Sequence, residues 1–410
     1  MSIAIPTHQS SYWLQSTSSP QYPKLQGDVS VDVAIVGAGI AGLSAAYFLK
    51  QAGLRVAVVE RGVIGDGVTG YTTGKVSSQH NLCYATLIKQ FGEPAARVYG
   101  EANQEAIAQI ERIINKERIG CDWQRDDSYV FTEDPKDVHQ FKREAEAAKR
   151  LGLPARFTTS TDLPFAVAGA VQFGHQAKFH VRKFLLGLAK AVQGNGSHIY
   201  EQSKAVTAHD GAPCIVRTKN GTIFCKDIII ATNVPFPPFT HTYYAAYEYP
   251  LKSYIVASKM PHTFKGMYIT KSNRHMRSIL PITLGGEHWL LVGGESHFPG
   301  FGRAISRHQQ LANYATERLG MTDIAYRWST WDYMSNDGMP LIGKLLPWSK
   351  HVFTATGFSK WGLTTGVLAG QILAEGIQNK PNKWAKTFDS TRLSPVTSLP
   401  KAMLKIISKL

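Results

Sequence analysis

The chain has 410 residues, too many for one ordinary hydrophobic core, and 43% of them are apolar, enough to fill two interleaved domains. No uninterrupted apolar run reaches the roughly 18 to 20 residues of a membrane-spanning helix, and Met1–Pro6 lacks the charged start and apolar core of a secretory signal, so a cytoplasmic protein is expected. The formal net charge of +15 favours anionic partners, but the basic residues are scattered and no nucleic-acid module is present, which argues against specific nucleic-acid binding.

The opening stretch from Thr7 to Asp28 is rich in Ser, Gln, Pro and Tyr and reads as an irregular arm. Val31–Val36 then predicts a buried strand that runs into Gly37-Ala38-Gly39-Ile40-Ala41-Gly42, and Leu43–Gln51 predicts a helix stopped at Gly53. Leu54–Val59 is a second buried strand with Glu60 at its tip and Arg61 beside it. This is the pattern of a dinucleotide site. Gly37 allows the tight turn, Gly39 lets the backbone approach a pyrophosphate, and Gly42 brings helix against strand. The helix start at Ile40 and Ala41 faces the phosphates, and a carboxylate roughly twenty residues on can bond a ribose diol.

Gly62–Gly74, dominated by Gly and Thr, is expected to be a loop lining the reactive end of the cofactor, which places Thr73, Gly74 and Lys75 there. Helical periodicity follows in Asn103–Lys116, Asp137–Leu151 and Val181–Val192. Ile215–Arg217 and Thr222–Phe224 flank the hairpin signal Asn220-Gly221, and Asp227–Ala231 is a short buried strand ending at Thr232. From Tyr243 to Trp331 strands with aromatics and turns prevail, with one helix near Ile305–Leu319. Near the end, Asp337–Gly343 precedes a strand, Val352–Ala355. Gly357-Phe358-Ser359-Lys360-Trp361-Gly362-Leu363-Thr364 then opens a second glycine-rich helix start before Val367–Glu375. The four cysteines, Cys83, Cys121, Cys214 and Cys225, have neither C-x-x-C nor ligand spacing, so no disulfide framework and no metal site is expected.

Together the fingerprint with Glu60-Arg61, the Ala231-Thr232-Asn233 strand end, and the segments Asp337–Gly343 and Gly357–Thr364 resemble the FAD-dependent D-amino-acid oxidase/glycine oxidase superfamily. The opening, Ser11-Tyr12-Trp13, Tyr22-Pro23 and Leu25-Gln26-Gly27, is similar to gamma-glutamylputrescine oxidases. By contrast Thr72–His80, Gly293–His297 and Tyr326–Asp332 are similar to members fused to a Rieske iron–sulfur domain. No Cys-x-His pairs occur to hold a two-iron cluster, so that fusion is expected to be missing.

The resemblance implies an α/β fold in which a Rossmann-like FAD-binding domain of the GR2 type is interleaved with an α+β substrate domain. The expected division is an N-terminal arm, 1–28; FAD-binding segments 29–90, 176–240 and 331–385; substrate-domain segments 91–175 and 241–330; and a tail, 386–410. It also implies hydride transfer from a small amine or amino acid to FAD, imine hydrolysis, and oxygen or a quinone as electron acceptor. Cofactor contacts are expected from Gly37, Gly39, Ile40, Ala41, Gly42, Glu60, Arg61, Thr73, Gly74, Lys75, Val206, Ala231, Thr232 and Gly343, and from Gly357, Phe358, Ser359, Lys360, Gly362, Leu363 and Thr364. No attachment residue matches, because Tyr71 occupies the loop position where some dehydrogenases place a histidine, so non-covalent FAD is expected.

Candidate catalytic residues are Lys75, near the reactive edge of the ring; His80, near the substrate amine or in a structural hydrogen-bonded role; and Lys360, whose charge would favour an anionic ring. Arg277, with Arg274, is either a bidentate clamp on a substrate carboxylate or surface charge. Tyr254, Trp331 and Tyr333 either wall the cavity or pack the core. Two other functions stay open: a flavoprotein acting on a 2-hydroxy acid or polyol, and a flavin electron-transfer partner with no small substrate. In the tail, Lys401, Lys405 and Lys409 recur beside Met403, Leu404 and Ile407, so Pro400–Leu410 reads as a short basic amphipathic helix that docks weakly on anionic membrane or packs on its own domain. Ser408-Lys409-Leu410 spells a peroxisomal address, relevant only in a eukaryotic source.

Overall fold

The computed structural model describes residues 3–18, 20–236, 238–271, 276–300, 304–398 and 403. Arg274, the tail helix apart from Met403, and Ser408-Lys409-Leu410 lie outside the described residues.

Val33–Val36 and Val56–Val59 are apolar throughout and buried throughout, as parallel strands covered on both faces must be. They sit in a six-stranded sheet ordered Leu341–Lys344, Val352–Thr356, Asp227–Ile230, Val33–Val36, Val56–Val59, His198–Tyr200. All neighbours are parallel except the outermost pair formed by Leu341–Lys344. Side-chain alternation divides the burial. Val33, Ile35, Val56 and Val58 face the helices Ile40–Gln51 and Val181–Val192, while Ala34, Val36, Ala57 and Val59 pack on Cys214, Val216 and Ile223. Those last three belong to a four-stranded sheet that includes the hairpin Cys214–Thr218/Gly221–Cys225, turned at the expected Asn220-Gly221.

A third, nine-stranded sheet runs from Tyr326–Ser335 through Glu248–Lys259, Glu287–His297, Arg277–Leu284, Met267–Thr270, Gln124–Thr132 and Gly169–Lys178 to Lys75–Val76, with Ala155–Thr158 also on Gly169–Lys178. Helix Ala304–Leu319 covers one face through Leu311, Ala312 and Ala315. This sheet takes in Lys75–Val76 and all of Tyr326–Ser335, so it crosses the domain limits expected at 90 and 331.

Two local expectations are corrected. The helix expected at Asn103–Lys116 extends over Tyr84–Glu117, bent at Gly92, whose φ of 83° leaves the helical region just before Pro94. The N-terminal arm is not wholly irregular: Tyr12–Gln15 makes one helical turn with Trp13 fully buried. That turn ties down the Gly62–Gly74 segment. Ser11 Oγ donates to the Gly70 carbonyl at 2.5 Å, and Trp13 Nε1 donates to the Thr72 carbonyl at 2.8 Å. The segment itself contains a 3-10 turn, Val68–Tyr71. Among the described residues no helix is long and apolar enough to cross a membrane.

Candidate functional site

A cavity of about 540 Å³ opens at the carboxyl ends of the six-stranded sheet, against one wall of the nine-stranded sheet. This is where open α/β sheets bind ligands. Val36, Val59, Ala231 and Thr356 border it from four adjacent strand ends.

The glycine turn shapes one end. Gly37 adopts φ 107°, its amide donates to the Val59 carbonyl at 2.8 Å, and a Cβ there would lie 2.5 Å from the Ala231 carbonyl oxygen. At Gly42 a Cβ would collide with the Gly37 carbonyl, so the helix start can sit over the turn only with glycine at that position. Gly39 caps helix Ile40–Gln51 without a side-chain acceptor, and Gly39, Ile40 and Ala41 line the cavity. Glu60 accepts the Ala38 amide on Oε2 and the Gly62 amide on Oε1, both at 2.9 Å. These bonds use about half of a carboxylate's acceptor capacity. The rest can serve a ribose diol, with Arg61 alongside on the cavity wall.

The second helix start converges on the same space. Gly362–Ile377 is capped by Trp361 with no side-chain bond, and Gly362 and Leu363 line the cavity. The two helices touch backbone to side chain: a Cβ at Gly366 would lie 2.6 Å from Ile40 Cγ2, and one at Gly370 2.6 Å from the Ala45 amide. Two positive helix ends are thereby held beside one cavity, a favourable setting for negative charge.

Ahead of that helix, Ser359 and Lys360 have φ of 52° and 78°. Non-glycine residues held in this region cost about 1–2 kcal/mol each. The turn is fastened by the Ser359 amide to the Tyr333 carbonyl at 3.0 Å and the Ser335 amide to Ser359 Oγ at 3.2 Å. Lys360 Nζ is thus placed on Asp332 at 2.9 Å, on Ser296 Oγ at 3.2 Å and on Ser253 Oγ, and all four residues line the cavity. The positive charge expected at Lys360 is therefore balanced by Asp332. Asp332, Ser253 and Ser296 were not identifiable as site residues from sequence. They lie on three different strands of the nine-stranded sheet, and only the family-like segments Gly293–His297 and Tyr326–Asp332 pointed towards Ser296 and Asp332.

Lys75 lines the cavity, with Nζ donating to the Tyr268 carbonyl and to Ser278 Oγ, each at 2.6 Å. Burial, together with the positive Lys178 nearby, holds its ammonium well below the usual lysine range. Thr73, Ala231, Thr232, Phe358 and Ser359 also line the cavity, as do Tyr254 and Tyr333.

Other expected residues are placed elsewhere. His80 is buried behind Trp361, on which its ring stacks at 4.6 Å. Its Nδ1 meets Tyr99 Oη and its Nε2 lies 2.7 Å from the Ser77 carbonyl, and burial pushes its pKa down to about 3. It is a neutral support for Trp361, not a group on the cavity wall. Arg277 begins a strand whose next residue, Ser278, faces the cavity; alternation turns Arg277 to the opposite face. There it pairs with Glu295 in the interior, its guanidinium 5.3 Å from the Tyr314 ring centre. It is neither a clamp in the cavity nor surface charge.

Val206 is 56% exposed, and its neighbours Lys204 and Ala205 face the cavity instead. Gly74 packs on Trp13, Gly343 on Ser390, and Gly357 on Glu248 and Ser335. Thr364 donates to the Ser77 carbonyl beside His80, and Gly42 stands beneath the turn. These five support the wall without forming it. Trp331 is 43% exposed, near Lys252, and is not on the wall.

A family model described as FAD dependent oxidoreductase matches residues 32–376. The Bacillus subtilis (strain 168) protein YhfW, named as a Rieske 2Fe-2S iron-sulfur protein, is 33% identical over 395 residues, covering 96% of this chain and 77% of that one. The gamma-glutamylputrescine oxidoreductase of Escherichia coli (strain K12) is 24% identical over 400 residues, 93% of this chain and 91% of that one. Among solved structures, glycine oxidase from Geobacillus kaustophilus superposes with a TM-score of 0.75 at 20% identity, over 89% of this chain and 99% of that one. L-proline dehydrogenase from P. horikoshii does so with 0.72 at 19%, over 90% and 99%. The structural likenesses show a shared fold.

Proposed function

The chain belongs to the family of FAD-dependent oxidoreductases, and from that premise we propose that it oxidises a small amine or amino acid at the carbon bearing the nitrogen. The observation that carries this reading is the continuity of the cavity: one space runs from the glycine turn and Glu60 to a polar wall, where Lys75 bonds Ser278 and Lys360 bonds Asp332, Ser253 and Ser296. The family's relatives and structural neighbours named for gamma-glutamylputrescine, glycine and proline support the substrate class.

The residues present fit FAD. The floor at Gly37 and Gly39 carries no side chain, the helix starts at Ile40 and Gly362 carry no side-chain caps, and Thr330 Oγ1 is buried on the wall with no hydrogen-bond partner among the described residues. Bound there, FAD supplies a hydride acceptor, so that the substrate leaves as an imine that water hydrolyses. Glu60 and Arg61 would hold the ribose end, the two helix starts the pyrophosphate and the pyrimidine side of the ring. The Lys360–Asp332 pair orders the wall on which a substrate would lie. Among the described residues neither cysteine nor histidine lines the cavity, which supports non-covalent binding.

The test is anaerobic mixing of the purified yellow protein with panels of amines, amino acids, 2-hydroxy acids and polyols, followed at the flavin absorbance. Bleaching by a member of the nitrogen panels is expected, with peroxide formed on readmission of air if oxygen is the acceptor. Bleaching by hydroxy compounds alone assigns the other substrate class; no bleaching by any panel leaves a carrier of electrons without a small substrate.

A further inference from the structure

We propose that Lys75 is the proton acceptor for the substrate ammonium, a role that rests on the amine reading above. In water near neutral pH a simple amine is protonated and its nitrogen has no lone pair to form a C=N bond. One proton must leave first. The cavity needs a base, and among the described residues its carboxylates are engaged: Asp332 with Lys360, and Glu60 with two amides.

Lys75 is set up for that work by its neighbours. In the pairing of Lys75–Val76 with Gly169–Lys178 it stands directly opposite Lys178. Like charges directly opposite across a ladder repel. Lys178 has what keeps an ammonium charged, Asp126 at 2.5 Å and the Pro281 carbonyl at 2.7 Å. Among the described residues Lys75 has neutral acceptors, the Tyr268 carbonyl and Ser278 Oγ. Asp126 is paired with Lys178, and Ile269 and Met276 add apolar lining to the same cavity. Of two lysines sharing one buried patch, the one without a carboxylate gives up its proton, in accord with the lowering that burial and Lys178 impose on it.

A neutral amine has two N–H bonds and one lone pair. The two acceptors take both hydrogens, and the remaining tetrahedral position of Nζ is left for the cavity. The step is a proton transfer: the N–H bond of the substrate ammonium breaks, its electron pair stays on the substrate nitrogen, and the proton joins the lone pair of Nζ. The freed pair on nitrogen is the one that forms the C=N bond. Charge is conserved, Lys75 ending as the ammonium, and it returns the proton to water as the product leaves.

Two measurements test this on the FAD-loaded protein. Competitive acylation with acetic anhydride across pH, read at each lysine by mass spectrometry, is expected to label Lys75 well before exposed lysines, whose pKa is about 10.4. Failure to label it, or labelling in step with exposed lysines, overturns the proposal whatever the substrate, and needs no variant to fold. Second, Lys75→Met and Lys75→Arg are expected to keep FAD and its absorption spectrum while slowing anaerobic bleaching near pH 7 by about 100-fold or more. In both, the rate should climb about tenfold per pH unit towards the substrate's own pKa, because only pre-deprotonated amine then reacts. A variant that keeps the parental rate and pH profile removes Lys75 from the chemistry. If no amine bleaches the parent, the amine reading itself fails and the proposal with it, while the labelling result still reports the charge state of Lys75.

Discussion

Glu248 opens the strand Glu248–Lys259 with its carboxyl group buried against the hydroxyl of Thr356, a cavity-lining residue. Thr356 Oγ1 lies 2.9 and 3.1 Å from the two carboxyl oxygens and 2.6 Å from the Asn233 carbonyl. A hydroxyl has one proton, and a carbonyl can only accept it. If Thr356 donates to Asn233, the carboxyl group must donate to Thr356, which requires its protonated form. Burial pushes the same way, raising Glu248 from 4.5 to about 8. A raised carboxyl pKa means that this site contributes fully below about pH 4.5 and loses its contribution as pH rises to about 8. The loss is about 1.4 kcal/mol per pH unit, or about 3 kcal/mol at pH 7. Glu248→Gln replaces the acid by an amide that donates at every pH. Urea unfolding of both proteins, followed by tryptophan fluorescence at several pH values, should show the variant gaining on the parent steadily from about pH 4.5 to about pH 8. The gain should be flat outside that window. A difference that does not change with pH would mean that Glu248 is ionised in the folded chain and that the hydroxyl points to it.

Arg277→Ala removes one partner of an interior ion pair and should lower unfolding stability by about 3 kcal/mol without a selective rise in KM; unchanged stability with a raised KM would return Arg277 to substrate binding. Glu60→Ala deletes the acceptor of two amides beside the glycine turn, so gel filtration should strip FAD from the variant; equal flavin content would exclude Glu60 from the site. Lys360→Met leaves the Asp332 charge uncompensated and Asp332→Asn leaves the Lys360 charge uncompensated, so flavin potentials should fall in the first and rise in the second; shifts of the same sign would show that the pair is not felt at the ring.

The dinucleotide end was legible because it is contiguous: strand, glycine turn, helix, strand and acid lie within Val33 to Glu60. Local signals also placed Val181–Val192 and the Asn220-Gly221 hairpin. What escaped was whatever depended on which face a side chain takes. Arg277 and Ser278 are adjacent in sequence and on opposite sides of the sheet, and no pattern in that short strand shows which of the two faces the cavity. The Lys360–Asp332–Ser253–Ser296 cluster joins four segments that only the sheet order brings together. For His80 the structural hydrogen-bonded alternative is the one the structure has, and nothing near the glycine loop signals that a tryptophan from 281 residues later stands in front of it. The helix start at Tyr84 lies ahead of the bend at Gly92 and Pro94, outside the Asn103–Lys116 periodicity.

The glycine contacts between helices Ile40–Gln51 and Gly362–Ile377 have a mechanical consequence. At Gly366 and Gly370 there is no side chain to act as a bearing, and sliding either helix would drive Ile40 or Ser44 into backbone. The two helix starts therefore move as one body, and the spacing between the proposed seats of the pyrophosphate and of the pyrimidine side of the ring is fixed before the cofactor arrives. The start of the second helix is in turn fastened to the opposite wall, through Ser359 on the Tyr333 carbonyl and Lys360 on Ser253, Ser296 and Asp332, so that wall is tied to the same body. A larger side chain at Gly370 should thus loosen the cofactor's seat and, through the Ser359-Lys360 turn, disturb the polar wall with it.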